Sequence, residues 1–394
     1  MNEKLFTCKF LEHFETSSAP AEDFKIEVVQ PEYSVDNSDP SFDRMEILRN
    51  LQQFQERSKI PFKKNDVEYK VSYQNTKFVD ISKVHALIPS RDSLELLQFT
   101  LSNLEKHKVL EQIVPVIIDD RSTNNSQMKE LADQYQAVYV RVDYESDLFN
   151  FSVLNNAAAA FLESRGVRDI ILWNSDLWVS DSETVPYLLK RHQENKENDI
   201  FVTGTQLLYP EKGFCDLYDD SRFLETLSND INMPLEALQK INPFGKVQFG
   251  GSTVTVAPFL MGQHVILPVV AHNGRFQPRE DTSSDREVIF LTGAFILCDL
   301  EKYKEVGGLN PSMRFCHQDG DLCFKMRKRN FRVMYYGKNC YLYHAESMSL
   351  ASKEKSTDNV NHKKSKRYND ELFSNELIFA LKWNQEFAQG SIII

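Results

Sequence analysis

The sequence predicts an α/β protein built on a mainly parallel β-sheet flanked by helices. Two features carry that prediction. From Val84 onward, short apolar runs alternate with helix-period segments, the pattern of right-handed βαβ units. Acidic, amide and hydroxyl residues cluster just after three of the runs, where open α/β sheets bind ligands beyond the carboxyl ends of their strands.

The elements follow in order. Val84–Pro89 reads as a buried strand and Ser93–His107 as a helix with Leu94, Leu97, Leu101 and Leu104 on one side. Val114–Ile118 is a second strand, Gln127–Tyr135 a helix and Ala137–Val142 a third strand. Helix Ser152–Glu163, strand Asp169–Trp173 and strand Ile200–Thr205 continue the run. Residues 206–286, rich in Gly, Pro and Asn, read as an irregular insertion, and a further compact zone runs from Glu287 to Ser349.

Residues 1–82 read as an N-terminal extension without visible chemistry. It contains a loop-like Tyr33–Phe42, a helical pattern at Arg44–Arg57 and a strand-like Val67–Ile81. The tail, residues 350–394, opens with a Lys-rich run from Lys353 to Arg367 and continues in a helical pattern at Asp370–Trp383. A Lys run of this kind reads as a solvated linker, with peripheral contact to anionic headgroups as the alternative.

The bulk numbers exclude several classes. The 394 residues carry 57 acidic and 46 basic side chains, a net charge of -11, against a nucleic-acid-binding role. Six cysteines lack any C-x-x-C pair or zinc spacing, which suits reduced thiols in a cytoplasmic protein. No apolar run reaches the ~18–20 residues of a membrane span. There is no G-x-G-x-x-G after the first strand and no G-x-x-x-x-G-K-[ST], H-E-x-x-H or G-x-S-x-G anywhere, so dinucleotide, P-loop, zincin and α/β-hydrolase readings lose their main support.

The strand ends hold the candidate chemistry. The first is followed by Pro89-Ser90-Arg91-Asp92, the second by Asp119-Asp120-Arg121-Ser122-Thr123, the fourth by Asn174-Ser175-Asp176. Carboxylates brought to one sheet edge repel unless a cation or hydrogen-bonding ligand joins them. Ribose hydroxyls and hard cations such as Mg²⁺ or Mn²⁺ suit such groups.

The order of motifs resembles the family 2 glycosyltransferases, which share the GT-A fold. Val116-Ile-Ile-Asp-Asp-Arg-Ser-Thr is similar to that family's V-V-D-D-G-S-T, with Arg121 at the usual Gly. Phe149-Asn-Phe-Ser-Val-Leu-Asn-Asn-Ala-Ala resembles F-N-F-S-x-x-N-N-x-A, and Ile171-Leu-Trp-Asn-Ser-Asp-Leu-Trp-Val resembles L-F-L-N-x-D-x-x-V, the family's form of the D-x-D metal motif. Leu291-Thr-Gly-Ala, Val306-Gly-Gly-Leu-Asn, His317-Gln-Asp-Gly-Asp-Leu-Cys and Tyr343-His-Ala-Glu-Ser-Met-Ser complete the series. Gln318 replaces the Glu of the family's E-D pair, and Asn174 the first Asp of D-x-D.

The resemblance implies a GT-A domain over residues 83–349 with an acceptor-side insertion at 206–286. It implies inverting, hexosyl-type transfer from a UDP-, GDP- or dTDP-sugar to a glycan or lipid-linked acceptor, as in polysaccharide assembly at the inner membrane face. Asp319 would be the base that deprotonates the acceptor. Asp176 and His344 would hold Mg²⁺ or Mn²⁺, while Pro89, Ser90, Arg91, Asp119, Asp120, Asn150, Asn156 and Asn174 would border the nucleotide sugar. Asp321 is read as a cap or as the partner of Lys325 or Arg327. A non-catalytic nucleotide-sugar or glycan-binding scaffold with the same fold is the competing reading. A nucleotidyltransferase would need a Gly-rich first loop, which Pro89–Asp92 lacks.

Overall fold

Strands that read as unbroken apolar runs, without alternation, should be covered on both faces. The computed structural model shows this. It describes residues 3–7, 68–145, 148–217, 219–231, 233–260, 264–346, 348, 375, 378, 379, 382 and 383. The strands are β1 (Glu3–Thr7), β2 (Glu68–Gln74), β3 (Val84–Ser90), β4 (Ile113–Asp119), β5 (Val138–Tyr144), β6 (Asp169–Trp173) and β7 (Leu177–Val179). They continue as β8 (Ile200–Leu208), β9 (Val247–Phe249), β10 (Ser252–Leu260), β11 (His264–His272), β12 (Arg286–Glu287), β13 (Phe295–Asp299) and β14 (Arg332–His344). The helices are α1 (Leu94–Lys106), α2 (Asn125–Gln134), α3 (Phe151–Glu163), α4 (Thr184–Asn195), α5 (Asp220–Asp230), α6 (Leu235–Ile241), α7 (Leu300–Glu305) and α8 (Gln318–Lys328).

The main sheet has the order β1-β2-β5-β4-β3-β6-β13-β8-β14-β12. Its centre, β5-β4-β3-β6, is parallel. Strand β13 then runs antiparallel between β6 and β8, and β14 returns parallel to β8. The α/β class expected from the sequence is therefore what the chain forms. Strands β3, β4 and β6 are buried along their whole length. On α1, Leu97, Leu101 and Leu104 are fully buried, each worth about 1.5–3 kcal/mol of apolar burial. Leu94 is only partly buried against this core, and Leu96 is buried in a second one.

Most expected boundaries stand within two residues of those observed. Strand β8 runs on to Leu208 where Thr205 was expected, and Val67–Ile81 resolves into β2 and a 3-10 turn at Thr76–Phe78. The larger correction concerns residues 206–286. Far from irregular, they hold α5, α6, β9 and the antiparallel β10-β11 hairpin, whose nine register pairs run from Ser252↔His272 to Leu260↔His264. Glycine, proline and asparagine mark the turns between these short elements and mask their periodicity. Phe223, Leu227 and Leu238 from this insertion pack with Trp178, Tyr209, Tyr343 and Met348 into the second core, against the carboxyl ends of β7 and β14.

The helical expectation at Arg44–Arg57 and the Lys-rich run lie outside the described residues. Within Asp370–Trp383, Asn375, Ile378, Phe379, Lys382 and Trp383 are helical. Their spacing puts them on one helix face. Among the described residues no helix is long and apolar enough to cross a membrane, and Cys215, Cys298, Cys316, Cys323 and Cys340 are free thiols.

Candidate active site

The parallel strands bring their carboxyl ends to one edge, where a cleft of ≈ 480 Å³ opens. Pro89, Ser90, Arg91, Asn174, Asp176, Asp319 and His344 all line it. Of the residues singled out from the sequence, Asp119, Asp120, Asn150 and Asn156 stand outside its lining.

Register explains how Asp176 meets His344. After β6 the chain turns through Asn174-Ser175-Asp176 and folds back as β7, which pairs antiparallel with the end of β14 in the register Leu342↔Val179, Tyr343↔Trp178, His344↔Leu177. The Ala345 N–H donates to the Asp176 carbonyl at 3.0 Å, continuing the ladder. Residues 168 positions apart in sequence thus become neighbours, with His344 Nε2 3.4 Å from Asp176 Oδ1.

Among the described residues both ring nitrogens of His344 are buried without a hydrogen-bond partner, a costly state for an imidazole unless a ligand completes it. In an octahedral site with ~2.1 Å bonds, adjacent ligand atoms lie about 3.0 Å apart, so Asp176 and His344 fit two neighbouring positions around one cation. Among the described residues no three His, Cys, Asp or Glu side chains converge as a complete cage. Magnesium-type ions commonly take one or two protein ligands and fill the rest with phosphate and water.

Asp319 reaches the same edge from the first turn of α8. The Asn174 N–H donates to the Ala294 carbonyl at 3.0 Å, so the Thr292-Gly293-Ala294 segment lies beside the β6 end. Asp319 Oδ2 accepts the Gly293 N–H at 2.7 Å and Oδ1 accepts the Gly320 N–H at 2.8 Å. A Cβ at position 293 would lie 3.3 Å from the Asp319 Cβ, so glycine permits this close approach.

The β3–β4 corner is held more tightly than the sequence suggested. Asp119 Oδ2 accepts from the Tyr139 hydroxyl (2.5 Å) and Arg141 (2.7 Å), and Oδ1 accepts the Ser122 N–H (2.8 Å), so its carboxylate is committed within the protein. Asp120 accepts from Arg121 at 2.7 Å, and its Oδ2 lies 3.7 Å from Arg91; among the described residues that oxygen has no hydrogen-bond partner, nor has the hydroxyl of Ser90. Burial pushes the Asp120 carboxyl above its ordinary range despite Arg121 and Arg91. Arg121 has φ = 55°, the left-handed region that glycine takes without strain. Its guanidinium offsets that cost by stacking 3.9 Å over the Tyr144 ring and donating to the Tyr144 carbonyl at 2.8 Å.

Asn150 and Asn156 spend their amides on the frame. Asn150 caps α3, accepting from the Val153 N–H at 3.1 Å, and donates to the Pro311 carbonyl at 3.0 Å. Asn156 donates to the Leu309 carbonyl (2.8 Å) and accepts from the Leu309 N–H (3.0 Å) and the Tyr303 hydroxyl (2.6 Å). Together they tie α3 to the 308–311 turn.

Sequence reasoning missed the wall supplied by the insertion. Gln248, His272 and Glu346 line the cleft. Glu346 Oε2 accepts from the Tyr209 hydroxyl at 3.0 Å and pairs with Arg275. Burial opposes ionisation of Glu346, but Arg275, His272 and His344 outweigh it and hold its pKa below the ordinary range. Burial alone dominates at His272 and lowers its pKa. Gln248 is 1% exposed, its side-chain carbonyl without a hydrogen-bond partner among the described residues. The one available signal was Glu346 itself, two residues beyond His344.

No protein-family model matches the chain. A curated relative, the uncharacterized protein y4gI of Sinorhizobium fredii (strain NBRC 101917 / NGR234), is 24% identical over 271 residues, 68% of this chain and 25% of that protein. The chain thus spans about a quarter of that relative's length. Among solved structures, GalNAc-T7 with UDP, GalNAc and Mn²⁺ is similar at a TM-score of 0.43 and 12% identity, over 67% of this chain and 44% of that one. The mannosyltransferase PcManGT from Pyrobaculum calidifontis with GDP-Man and Mn²⁺ is similar at 0.41 and 12% identity, over 88% and 81%. At these TM-scores neither likeness bears on the chemistry of the cleft.

Proposed function

We propose that the chain is a metal-assisted glycosyltransferase of GT-A type, acting on a nucleoside diphosphate sugar by inverting, single-displacement transfer. The observation that carries this reading is the joining of Asp176 to the otherwise unpartnered His344 by the β7–β14 register, in the cleft that Asp319 also lines. Asp176 and His344 would hold Mg²⁺ or Mn²⁺, which supplies charge neutralisation for the diphosphate.

The chain's own residues do the rest. Ser90 and Arg91 offer polar groups to the nucleotide at the β3–β4 corner, with Asp120 behind Arg91 at 3.7 Å, while Asn174 offers an amide at the β6 end. Asp119, Asn150 and Asn156 order that pocket. Asp319 takes the proton of the acceptor hydroxyl as its oxygen bonds to the sugar's anomeric carbon and the bond to the diphosphate breaks. The insertion at 206–286 supplies the wall for sugar or acceptor, with the Gln248 carbonyl as a ready acceptor for a hydroxyl. In this reading residues 83–349 form the transferase domain, and the acceptor is a glycan or a lipid-linked acceptor.

A thermal-shift screen of UDP-, GDP-, CMP- and dTDP-sugars with and without Mn²⁺ tests the reading. One nucleotide should stabilise the protein in a metal-dependent way, and Asp176→Ala should remove the effect. No shift with any of them in folded protein would sink it in favour of a scaffold role. Metal-dependent binding without sugar transfer or donor hydrolysis would do so as well.

A further inference from the structure

Asp319 and Asp321 stand two residues apart near the start of α8, so they point about 200° apart around its axis. Asp319 lines the cleft, whereas Asp321 is fully buried on the other side. A buried carboxylate needs partners. Asp321 accepts from Lys382 Nζ at 2.5 Å and from Trp383 Nε1 at 3.0 Å, and Lys325 lies 3.1 Å away. Among the described residues, two of its three partners come from the C-terminal segment. Arg327, expected as an alternative, pairs with Glu287 instead.

The same helical face reaches the residues just before Asp319. The Phe315 N–H donates to Asn375 Oδ1 at 3.0 Å. The His317 ring stacks on Phe379, centroids 5.0 Å apart and planes at 22°. A Cβ at Gly320 would meet the Phe379 ring at 3.2 Å, so glycine lets that ring sit close against the first turn of α8. Phe315 and His317 both line the cleft. His317, at φ = 65°, sits in a left-handed conformation that the stack helps to hold.

We propose that Asn375, Phe379, Lys382 and Trp383 form a positioning strap that fixes the 315–321 segment, and through it Asp319, against the cleft. A tail that merely covered apolar surface would need only Phe379 and Trp383. Here Asn375 and Lys382 make polar contacts to a backbone N–H of the cleft wall and to the carboxylate that anchors α8. The inference rests on the transferase reading for the role of Asp319, and on the packing alone for the order of the segment.

The test compares Lys382→Met and Lys382→Arg with the parent, full-length in each case, by two readouts. The first is sugar transfer, with kcat and donor KM measured separately. Lys382→Met should lower kcat about tenfold, since misplacement of a catalytic group by an ångström costs up to ~10². Donor KM should stay within about twofold, and Lys382→Arg should restore kcat. The second readout, independent of activity, is the iodoacetamide alkylation rate of Cys316, which lines the cleft within the strapped segment. It should rise several-fold in Lys382→Met and return in Lys382→Arg. If Lys382→Met does not fold, Asn375→Ala is held to the same two readouts. An unchanged Cys316 rate overturns the strap whatever the activity, as does a loss borne by donor KM alone. A parent without transfer activity overturns the functional reading and leaves the alkylation result to decide the strap.

Discussion

Replacing Asp319 by Asn removes a base while almost preserving shape, and its consequences can be worked out from two hydrogen bonds. Both carboxylate oxygens accept a backbone N–H, Oδ2 from Gly293 and Oδ1 from Gly320. An amide can answer only one of these, because its NH₂ would face the other donor. The unanswered N–H costs about 1–3 kcal/mol of stability. Loss of a general base costs about 10²–10⁴ in rate, or about 2.7–5.4 kcal/mol of barrier at ~1.36 kcal/mol per decade. Asp319→Asn should therefore lower kcat at least ~10²-fold, lower the melting temperature by a few degrees, and leave donor KM nearly unchanged. Asp319→Ala, which answers neither N–H, should lose more stability but a similar factor in kcat. Steady-state kinetics on both variants, beside thermal melts, separate the two effects. If Asp319→Asn keeps more than about a tenth of the parent kcat, the side chain is not the base.

Asp176→Ala deletes the carboxylate of the proposed cation pair, so titration calorimetry should show at least about tenfold weaker Mn²⁺-dependent nucleotide binding. Equal binding with and without the substitution would place the cation elsewhere. Arg275→Met leaves Glu346 without its cationic partner and should cost about 2 kcal/mol in urea denaturation, below the usual buried-pair range because both side chains keep some exposure. A cost under about 0.5 kcal/mol, the size of an exposed pair, would refute that. At the opposite end of the sheet, burial works against Asp169, but His192 and Lys196 outweigh it and depress its pKa from 3.8 to about 2. A depressed carboxylate stabilises the fold above its unfolded pKa, and the contribution is lost as pH falls through the folded one. Asp169→Asn should thus cost about 2 kcal/mol at pH 7, with parent and variant converging between pH 3.8 and about 2. A difference that persists below that window would point to packing rather than charge.

The fold was legible where a local pattern and its tertiary environment agree. Val84–Ser90, Ile113–Asp119 and Asp169–Trp173 are unbroken apolar runs because both sheet faces are covered, and the first and last lead into polar residues where they meet the cleft. Strand β13 was not legible as antiparallel. Nothing in Phe295–Asp299 records its direction, which is set by its neighbours β6 and β8. Residues 206–286 failed for a different reason. A seven-residue helix and a three-residue strand there are too short to show a period between their turns.

At the site, what was legible was residue type, and what was not was which atoms remain for a ligand. Asp119 and Asp120 are adjacent and chemically identical in the sequence. Only Tyr139, Arg141 and the Ser122 N–H reveal that the first is consumed by the fold, while the second keeps a buried oxygen with no hydrogen bond among the described residues and the Arg91 guanidinium 3.7 Å away. Asn150 and Asn156 show the same division, their amides closing α3 onto the 308–311 turn. His344 shows the opposite case. Its position opposite Leu177 follows from strand register, and its burial without a hydrogen-bond partner leaves its nitrogens to a ligand. A strand-end histidine could have been a core residue on composition alone. Folding turns it into a candidate ligand by burying its nitrogens without a hydrogen bond among the described residues while holding it 3.4 Å from Asp176.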